Sequence, residues 1–428
     1  MNGLPKHIHM VGIGGIGMSA LAQLLAHQGK KVSGSDREET PAVALLKRRG
    51  IPVTVGHAAE NIPAGVEMLI YSDAVWPDNP ERSHAAQSDI KQISYFEALG
   101  IVSRQMRTIA VAGTHGKTTT TGMLAAILKD AQENPTAIVG SIVQDFGSNF
   151  LAGKDDLLVV EACEYRDHLL ELSPETLVIT NIELDHTDFF PSLNAVQNTF
   201  RAAAERVPEN GAIVTNPHDP NIAPILSHVR ARVVDYTQES VPALSLIGEF
   251  NRANAQAAKA GARAAFPEIS PAVADATLAQ FKGSWRRFEF KGETAAGAFV
   301  YDDYAHHPTA IEKTIAGARE KFPDKRIVVA FHPHLYSRTK SLLNEFAQAL
   351  SRADEAIVVP IYAAREAPDP SISNEVLAAA ARTAGGRAQA LNSFEEIRAA
   401  LSKYGNDTLV VTMGAGDIYK VAEQIIQE

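Results

Sequence analysis

The sequence predicts an α/β protein of three domains, each built on a largely parallel sheet. Two glycine loops, each set between an apolar strand and a helix, carry that prediction. A later series of apolar runs separated by helical stretches extends it to the C-terminal third. At 428 residues the chain is too long for one hydrophobic core, which agrees with several α/β units.

The first unit opens with the strand Ile8-His9-Met10-Val11. The loop Gly12-Ile13-Gly14-Gly15-Ile16-Gly17 follows, then a helix to Ala26. Gly12, Gly14 and Gly17 satisfy G-x-G-x-x-G. The next strand, Val32-Ser33-Gly34-Ser35-Asp36, ends in an acid about 20 residues on, where such a unit meets a ribose hydroxyl. Alone, the motif suggests NAD. It is a pyrophosphate-and-ribose signal, and any nucleotide diphosphate satisfies it. A glycine-rich turn that only packs helix on strand leaves the placed acid unexplained. Strands at Pro52-Val53-Thr54-Val55 and Met68-Leu69-Ile70-Tyr71, and a turn from Pro77 into a short helix, complete a domain over residues 1–104.

The second unit, residues 105–284, begins with the strand Thr108-Ile109-Ala110-Val111. Next comes Gly113-Thr114-His115-Gly116-Lys117-Thr118-Thr119, and a helix through Leu128. Strand, glycine loop, lysine-threonine and helix together cradle a nucleotide triphosphate, because backbone N–H groups and a helix N-terminus face the phosphates. Lys117 is placed for the β/γ-phosphates and Thr118 for Mg²⁺. The strict motif has glycine where this chain has Val111, and a tight turn with a solvated lysine is the bland alternative. The runs Leu157-Leu158-Val159-Val160-Glu161 and Leu177-Val178-Ile179-Thr180-Asn181 read as parallel strands. Gly113, Glu161 and Asn181 then lie at carboxyl ends of strands, where open α/β sheets bind ligands. Residues 219–245 show no regular pattern.

Composition shifts near Phe281-Lys282-Gly283-Ser284-Trp285-Arg286-Arg287. A third α/β unit is expected over 285–428, with strands at Tyr301-Asp302-Asp303-Tyr304, Ile327-Val328-Val329-Ala330-Phe331, Ala356-Ile357-Val358-Val359-Pro360 and Leu409-Val410-Val411-Thr412.

Hydrophobic residues make up 45% of the chain and charged residues 21%, as in a soluble globular protein. A net charge of −10 argues against a nucleic-acid binder that works by neutralising phosphates. A single cysteine, Cys163, excludes an internal disulfide. No apolar run approaches the ~20 residues of a membrane span, and Lys6 precedes only a short strand, not a signal peptide. A cytoplasmic protein without a membrane partner is expected.

Past the strand ends lie the chemical clusters. Asn181-Ile182-Glu183-Leu184-Asp185-His186 offers carboxylates and an imidazole. Glu161 and Thr118 suit one Mg²⁺, which favours oxygen ligands, whereas His186 points to a second ion. Asp302-Asp303-Tyr304-Ala305-His306-His307, His332-Pro333-His334-Leu335-Tyr336-Ser337-Arg338-Thr339 and Met413-Gly414-Ala415-Gly416-Asp417 are suited to binding a small carboxylate or deprotonating an amine. Their spacings match no standard zinc pattern.

With these motifs in order, the chain resembles the Mur ligase family over almost its full length. The resemblance implies a UDP-sugar domain, an ATPase domain and a closing domain. It implies an ATP-dependent ligase that adds L-alanine to the lactyl carboxylate of UDP-N-acetylmuramate through an acyl phosphate. Mg²⁺, with Mn²⁺ as a substitute, would be the metal, and the oligomer a monomer or weak homodimer. Lys117, Glu161, His186, His306 and Arg338 would carry the catalysis, with Thr118, Glu161 and His186 on the metal.

By the same resemblance Gly14, Gly15, Ile16 and Gly17 hold the UDP diphosphate, with Asp36 near the ribose and Ser72 facing the sugar nucleotide. ATP would meet Gly113, Thr114, His115, Gly116, Lys117, Thr118, Thr119, Asn251, Asn254, Asp303 and an arginine of the pair Arg286 and Arg287. Tyr304, His306 and Arg338 would receive L-alanine. The chain departs from the family pattern at Phe250, at Leu335 and at Cys163, and no carbamylated lysine is expected. Two alternatives stand beside this reading: a recycling ligase that attaches a tripeptide to the same sugar nucleotide, and an NAD-dependent oxidoreductase.

Overall fold

A computed structural model describes residues 3–154, 156–364 and 366–426. The first sheet comprises β1 (His7–Val11), β2 (Lys31–Asp36), β3 (Val53–Val55), β4 (Met68–Tyr71) and β5 (Lys91–Ser94), all parallel in the order β3-β2-β1-β4-β5. The order reverses beside β1, so a crevice opens beyond its carboxyl end, where the first glycine loop starts.

The second sheet comprises β6 (Arg107–Ala112), β7 (Thr136–Val143), β8 (Ser148–Leu151), β9 (Leu157–Glu161), β10 (Thr176–Ile179), β11 (Ala212–Thr215) and β12 (Arg232–Asp235), in the order β12-β11-β10-β6-β9-β7-β8. β8 pairs antiparallel with β7 and the other pairings are parallel. The strands that end at Ala112, Glu161 and Ile179 are therefore neighbours, and the second glycine loop rises from the middle one. The helix Lys117–Asp130 behind it is buried from Thr118 to Leu128. Such all-round burial explains why its sequence has little amphipathic character. Residues 219–245, irregular in the sequence, hold β12 and short single-turn helices.

The third sheet comprises β13 (Glu289–Glu293), β14 (Phe299–Asp303), β15 (Arg326–Phe331), β16 (Glu355–Val358), β17 (Ala388–Ala390) and β18 (Thr408–Met413), in the order β13-β14-β18-β15-β16-β17 with β13 antiparallel. Alternate residues of β15 face opposite cores. Ile327, Val329 and Phe331 pack with Phe346, Leu350 and Leu377, and Val328 and Ala330 with Ile397, Val421 and Ile425. Helices cover both faces, which is why its central strands read as unbroken apolar runs.

The chain divides into two compact units. One holds residues 1–182, 196–242 and 254–281, with the first two sheets. The other holds 183–195, 243–253 and 282–428, with the third. Inside the first unit, Asn149 of β8 donates to the Ile16 carbonyl (2.5 Å) and to Ser19 Oγ (3.1 Å), tying the second sheet to the first glycine loop's helix. No described helix is long and apolar enough to cross a membrane.

Candidate functional site

Backbone geometry makes the first loop. Gly12 has φ +78°, and its N–H, with that of Ile13, donates to the Ser35 carbonyl at the end of β2. Asp36 closes the turn by accepting from Gly14 N–H at 2.7 Å. The helix Ile16–His27 starts without a side-chain cap and with no acid in its first turn. Its first N–H groups are thus left for an anion. A Cβ on Gly12 would press on Ser72 and Val75 at 3.0 Å, so Gly12 brings the loop after β4 against the glycines. Gly14, Gly15, Ile16, Gly17, Asp36 and Ser72 form one group. Asp73 turns away and pairs with His168 at 2.9 Å. That ion pair holds its carboxyl below the usual aspartate range against the opposing pull of burial.

The second loop turns on two glycines with positive φ, Gly113 at +132° and Gly116 at +82°. A Cβ would fall 2.1 Å from Thr180 Oγ1 at the first and 2.2 Å from Asn254 Oδ1 at the second. Asn181 clamps the loop by accepting from His115 N–H (2.9 Å) and donating to its carbonyl (3.0 Å), and Thr180 donates to the same carbonyl. The helix behind again lacks a side-chain cap. Thr118 Oγ1 donates to Glu161 Oε1 at 3.1 Å, and Glu161 Oε2 accepts from Gly140 N–H at 2.7 Å. Gly113, Thr114, His115, Gly116, Lys117, Thr118, Thr119, Glu161 and Asn254 are therefore gathered in one unit.

Glu164, outside the sequence expectations, takes the partner's role for Lys117. The ammonium lies 2.9 and 3.2 Å from its two oxygens and also bonds the Gly113 and Thr114 carbonyls. Burial lowers a lysine pKa, but Glu164 prevails and holds Lys117 above its ordinary value. Burial and the Glu164 charge push the Cys163 thiol up to about 12, so it stays protonated and is no nucleophile.

In the other unit, Arg338 and Asp185 form a buried ion pair. Arg338 Nε and Nη2 lie 3.0 and 2.8 Å from Asp185 Oδ1, and Nη1 lies 3.1 Å from His334 Nδ1. Burial raises the Asp185 pKa, yet Arg338 and then the nearby histidines bring it well below the usual carboxylate range. Asp185 Oδ1 also accepts from the N–H of His186, whose φ is +51°. His306 Nδ1 lies 2.9 Å from the Tyr304 carbonyl, which can only accept, so Nδ1 carries the proton and Nε2 is the basic nitrogen. Burial first, then cationic Arg338, hold His306 well below its ordinary value, so the ring is neutral at pH 7. Tyr304 stands edge-on to His306 at 5.2 Å. His186, Tyr304, His306 and Arg338 thus belong to one unit, and Asp185 and His334 join them.

Arg286 faces inward. It is buried and its guanidinium is spent on Asp302 (2.7 Å) and on the Gly416 (2.9 Å) and Gly414 (2.6 Å) carbonyls. The Arg287 guanidinium lies 5.1 Å from the Tyr304 ring centre, and that of Arg286 5.4 Å from it. Asp303 is also buried, accepting from the Phe288 and Ala305 N–H groups at 2.8 and 2.6 Å. Burial raises its carboxyl to about 6. It therefore holds the backbone that enters β13 and the backbone that leaves β14.

Asn251 donates to the Ile247 carbonyl at 2.8 Å, and the Phe250 ring packs on Gly248 and into the third-sheet core. Leu335 is buried with φ +71°. His332, buried against Gly414 and Gly416, has its pKa lowered to about 4 by burial.

Family models match the chain along its length. The "Mur ligase family, catalytic domain" covers residues 7–107, the "Mur ligase middle domain" 111–245, and the "Mur ligase, glutamate ligase domain" 286–416. The UDP-N-acetylmuramate–L-alanine ligase of Salinibacter ruber is 39% identical over 99% of this chain and 94% of its own. That of Desulfitobacterium hafniense is 39% identical over 99% and 100%. The solved UDP-N-acetylmuramate–alanine ligase of Thermotoga maritima has a TM-score of 0.81 at 28% identity, covering 98% of each chain. A murein peptide ligase of Psychrobacter arcticus shares the fold, with a TM-score of 0.73 at 24% identity over 99% and 98%.

Proposed function

The chain belongs to the Mur ligase family, and on that premise we propose that it joins L-alanine to the lactyl carboxylate of UDP-N-acetylmuramate with the cleavage of ATP. The full-length similarity to ligases of that name carries the reading. The two glycine loops are consistent with it, since one nucleotide diphosphate and one triphosphate need two uncapped helix N-termini.

A carboxylate resists attack by an amine because oxide is a poor leaving group. Transfer of the γ-phosphoryl group of ATP to the lactyl carboxylate gives an acyl phosphate and ADP. The amine of L-alanine then attacks the carbonyl carbon, and phosphate leaves. Charge gathers on phosphate oxygens at each stage, so fixed cations and donors supply the main stabilisation. Lys117 exchanges Glu164 for these oxygens, and the N–H groups at the start of its helix add to it.

Thr118 and Glu161 present an all-oxygen donor pair that fits Mg²⁺, and His186 is proposed as ligand to a second ion. Mg²⁺ held there would supply positive charge to the phosphate oxygens. Arg338, held along one edge by Asp185 and at Nη1 by His334, is proposed as the cation that meets the alanine carboxylate. His306 Nε2 accepts the proton that the ammonium group must lose.

Arg287 meets the nucleotide, Asn254 stands beside its loop, and Asp36 lies near the uridine ribose. The domains are proposed to divide at residues 104 and 284. The enzyme is proposed to act in the cytoplasm as a monomer or weak homodimer. Competition between free L-alanine and an L-alanyl tripeptide, with the product weighed, tests the amino-acid choice. Alanine-only product is expected, and a tripeptide product would assign the recycling reaction.

A further inference from the structure

Tyr95 opens the helix Tyr95–Ser103, which a capping box between Ser94 and Glu97 starts. Its ring touches the first glycine loop: a Cβ on Gly17 would fall 2.7 Å from both Tyr95 Cζ and its hydroxyl oxygen. The third glycine of G-x-G-x-x-G is thus the residue that makes room for this phenol. The phenol is also within electrostatic reach of the Glu161 carboxylate at the end of β9. The hydroxyl thus lies against the loop assigned to the diphosphate and within electrostatic reach of the carboxylate beside the second loop, all inside the first unit.

The ring is held from behind. Tyr95 stands edge-on to Phe96 at 4.7 Å, Phe96 stacks on His168, and His168 pairs with Asp73 at 2.9 Å. This row fixes the ring, yet among the described residues the hydroxyl has no hydrogen-bond partner, although the ring is half-buried. A phenol keeps its proton near neutral pH, and burial with the Glu161 charge raises its pKa further, so it is a donor. A preorganised donor with nothing in the protein to bond is suited to a ligand's acceptor.

We propose that Tyr95 is a substrate-binding residue whose hydroxyl donates to the muramyl part of the sugar nucleotide, between its diphosphate and its reacting lactyl carboxylate. The inference rests on the ligase reading above. Nothing else in the sugar nucleotide lies between the two groups that the loops are expected to hold. The contact fixes how far the carboxylate extends towards the second loop.

The test is equilibrium binding of UDP-N-acetylmuramate and of UDP alone to the full chain, for wild type and Tyr95→Phe, with steady-state kinetics beside it. Phenylalanine keeps the packing against Gly17 and removes only the hydroxyl, and an unchanged melting temperature verifies that. The expected result is about tenfold weaker binding of UDP-N-acetylmuramate with UDP binding unchanged, as for loss of one hydrogen bond. KM for UDP-N-acetylmuramate rises similarly, while KM for ATP stays level. Equal weakening of both ligands would overturn the proposal by moving the hydroxyl's role to the diphosphate loop. Unchanged binding of both would overturn it outright. Wild type that binds UDP but not UDP-N-acetylmuramate would overturn the ligase reading itself, and the inference with it.

Discussion

The ammonium of Lys117 is parked on Glu164, 2.9 and 3.2 Å from its two carboxylate oxygens. Glu164 is only 2% exposed, so removing its charge leaves a largely buried ammonium without its counter-ion. Glu164→Gln is expected to lower the stability of the nucleotide-free protein by about 1–3 kcal/mol. ATP restores a negative partner, so the rise in melting temperature on adding ATP should exceed that of wild type. Thermal unfolding with and without ATP measures both, and equal ATP shifts would contradict the exchange of partners.

Lys117→Ala removes the cation itself. If Lys117 stabilises the phosphoryl oxygens in the transition state, kcat should fall by roughly 10²–10³. Phosphate release at saturating substrates reads this directly. A loss confined to the KM for ATP would restrict Lys117 to ground-state binding.

Asp185→Asn leaves Arg338 buried and unpaired, at an expected cost of about 3–5 kcal/mol near neutral pH. The Asp185 pKa is lowered in the folded protein, so its contribution is complete above the ordinary value of 3.8 and is lost as pH falls towards the folded value. The gap between wild type and variant should therefore narrow below pH 4, by about 1 kcal/mol per unit. Denaturant unfolding at pH 6, 4 and 3 follows it. A gap constant down to pH 3 would contradict the ion pair.

Arg286 and Arg287 adjoin in sequence but are expected to behave differently. Arg286→Ala should destabilise the protein by about 3–5 kcal/mol, because Asp302 is left buried without its cation. Arg287→Ala should chiefly raise the KM for ATP. Denaturant unfolding and steady-state kinetics of both variants make the comparison, and a stable Arg286→Ala with an impaired KM for ATP would reverse the two roles.

That pair shows where sequence reading ended. Strand, loop and helix patterns lead to Gly113, Glu161 and Asn181, because strand ends can be counted from apolar runs. Which of two adjacent arginines turns inward depends on the carbonyls of Gly414 and Gly416, more than 120 residues away, and no local pattern carries that. Glu164 escaped notice because it precedes an irregular segment in which Arg166 and Asp167 take left-handed backbone, so no period marks its direction. Tyr95 gave no signal either. An aromatic residue at the start of a helix reads as packing until Gly17 is seen beside it.

The direct test of the central claim is phosphate release from ATP and Mg²⁺ with UDP-N-acetylmuramate, with and without L-alanine, followed by the mass of the product. The account predicts release that requires both partners and a product heavier by one alanyl residue. Sustained release without L-alanine, or no alanyl product when both are present, would contradict it.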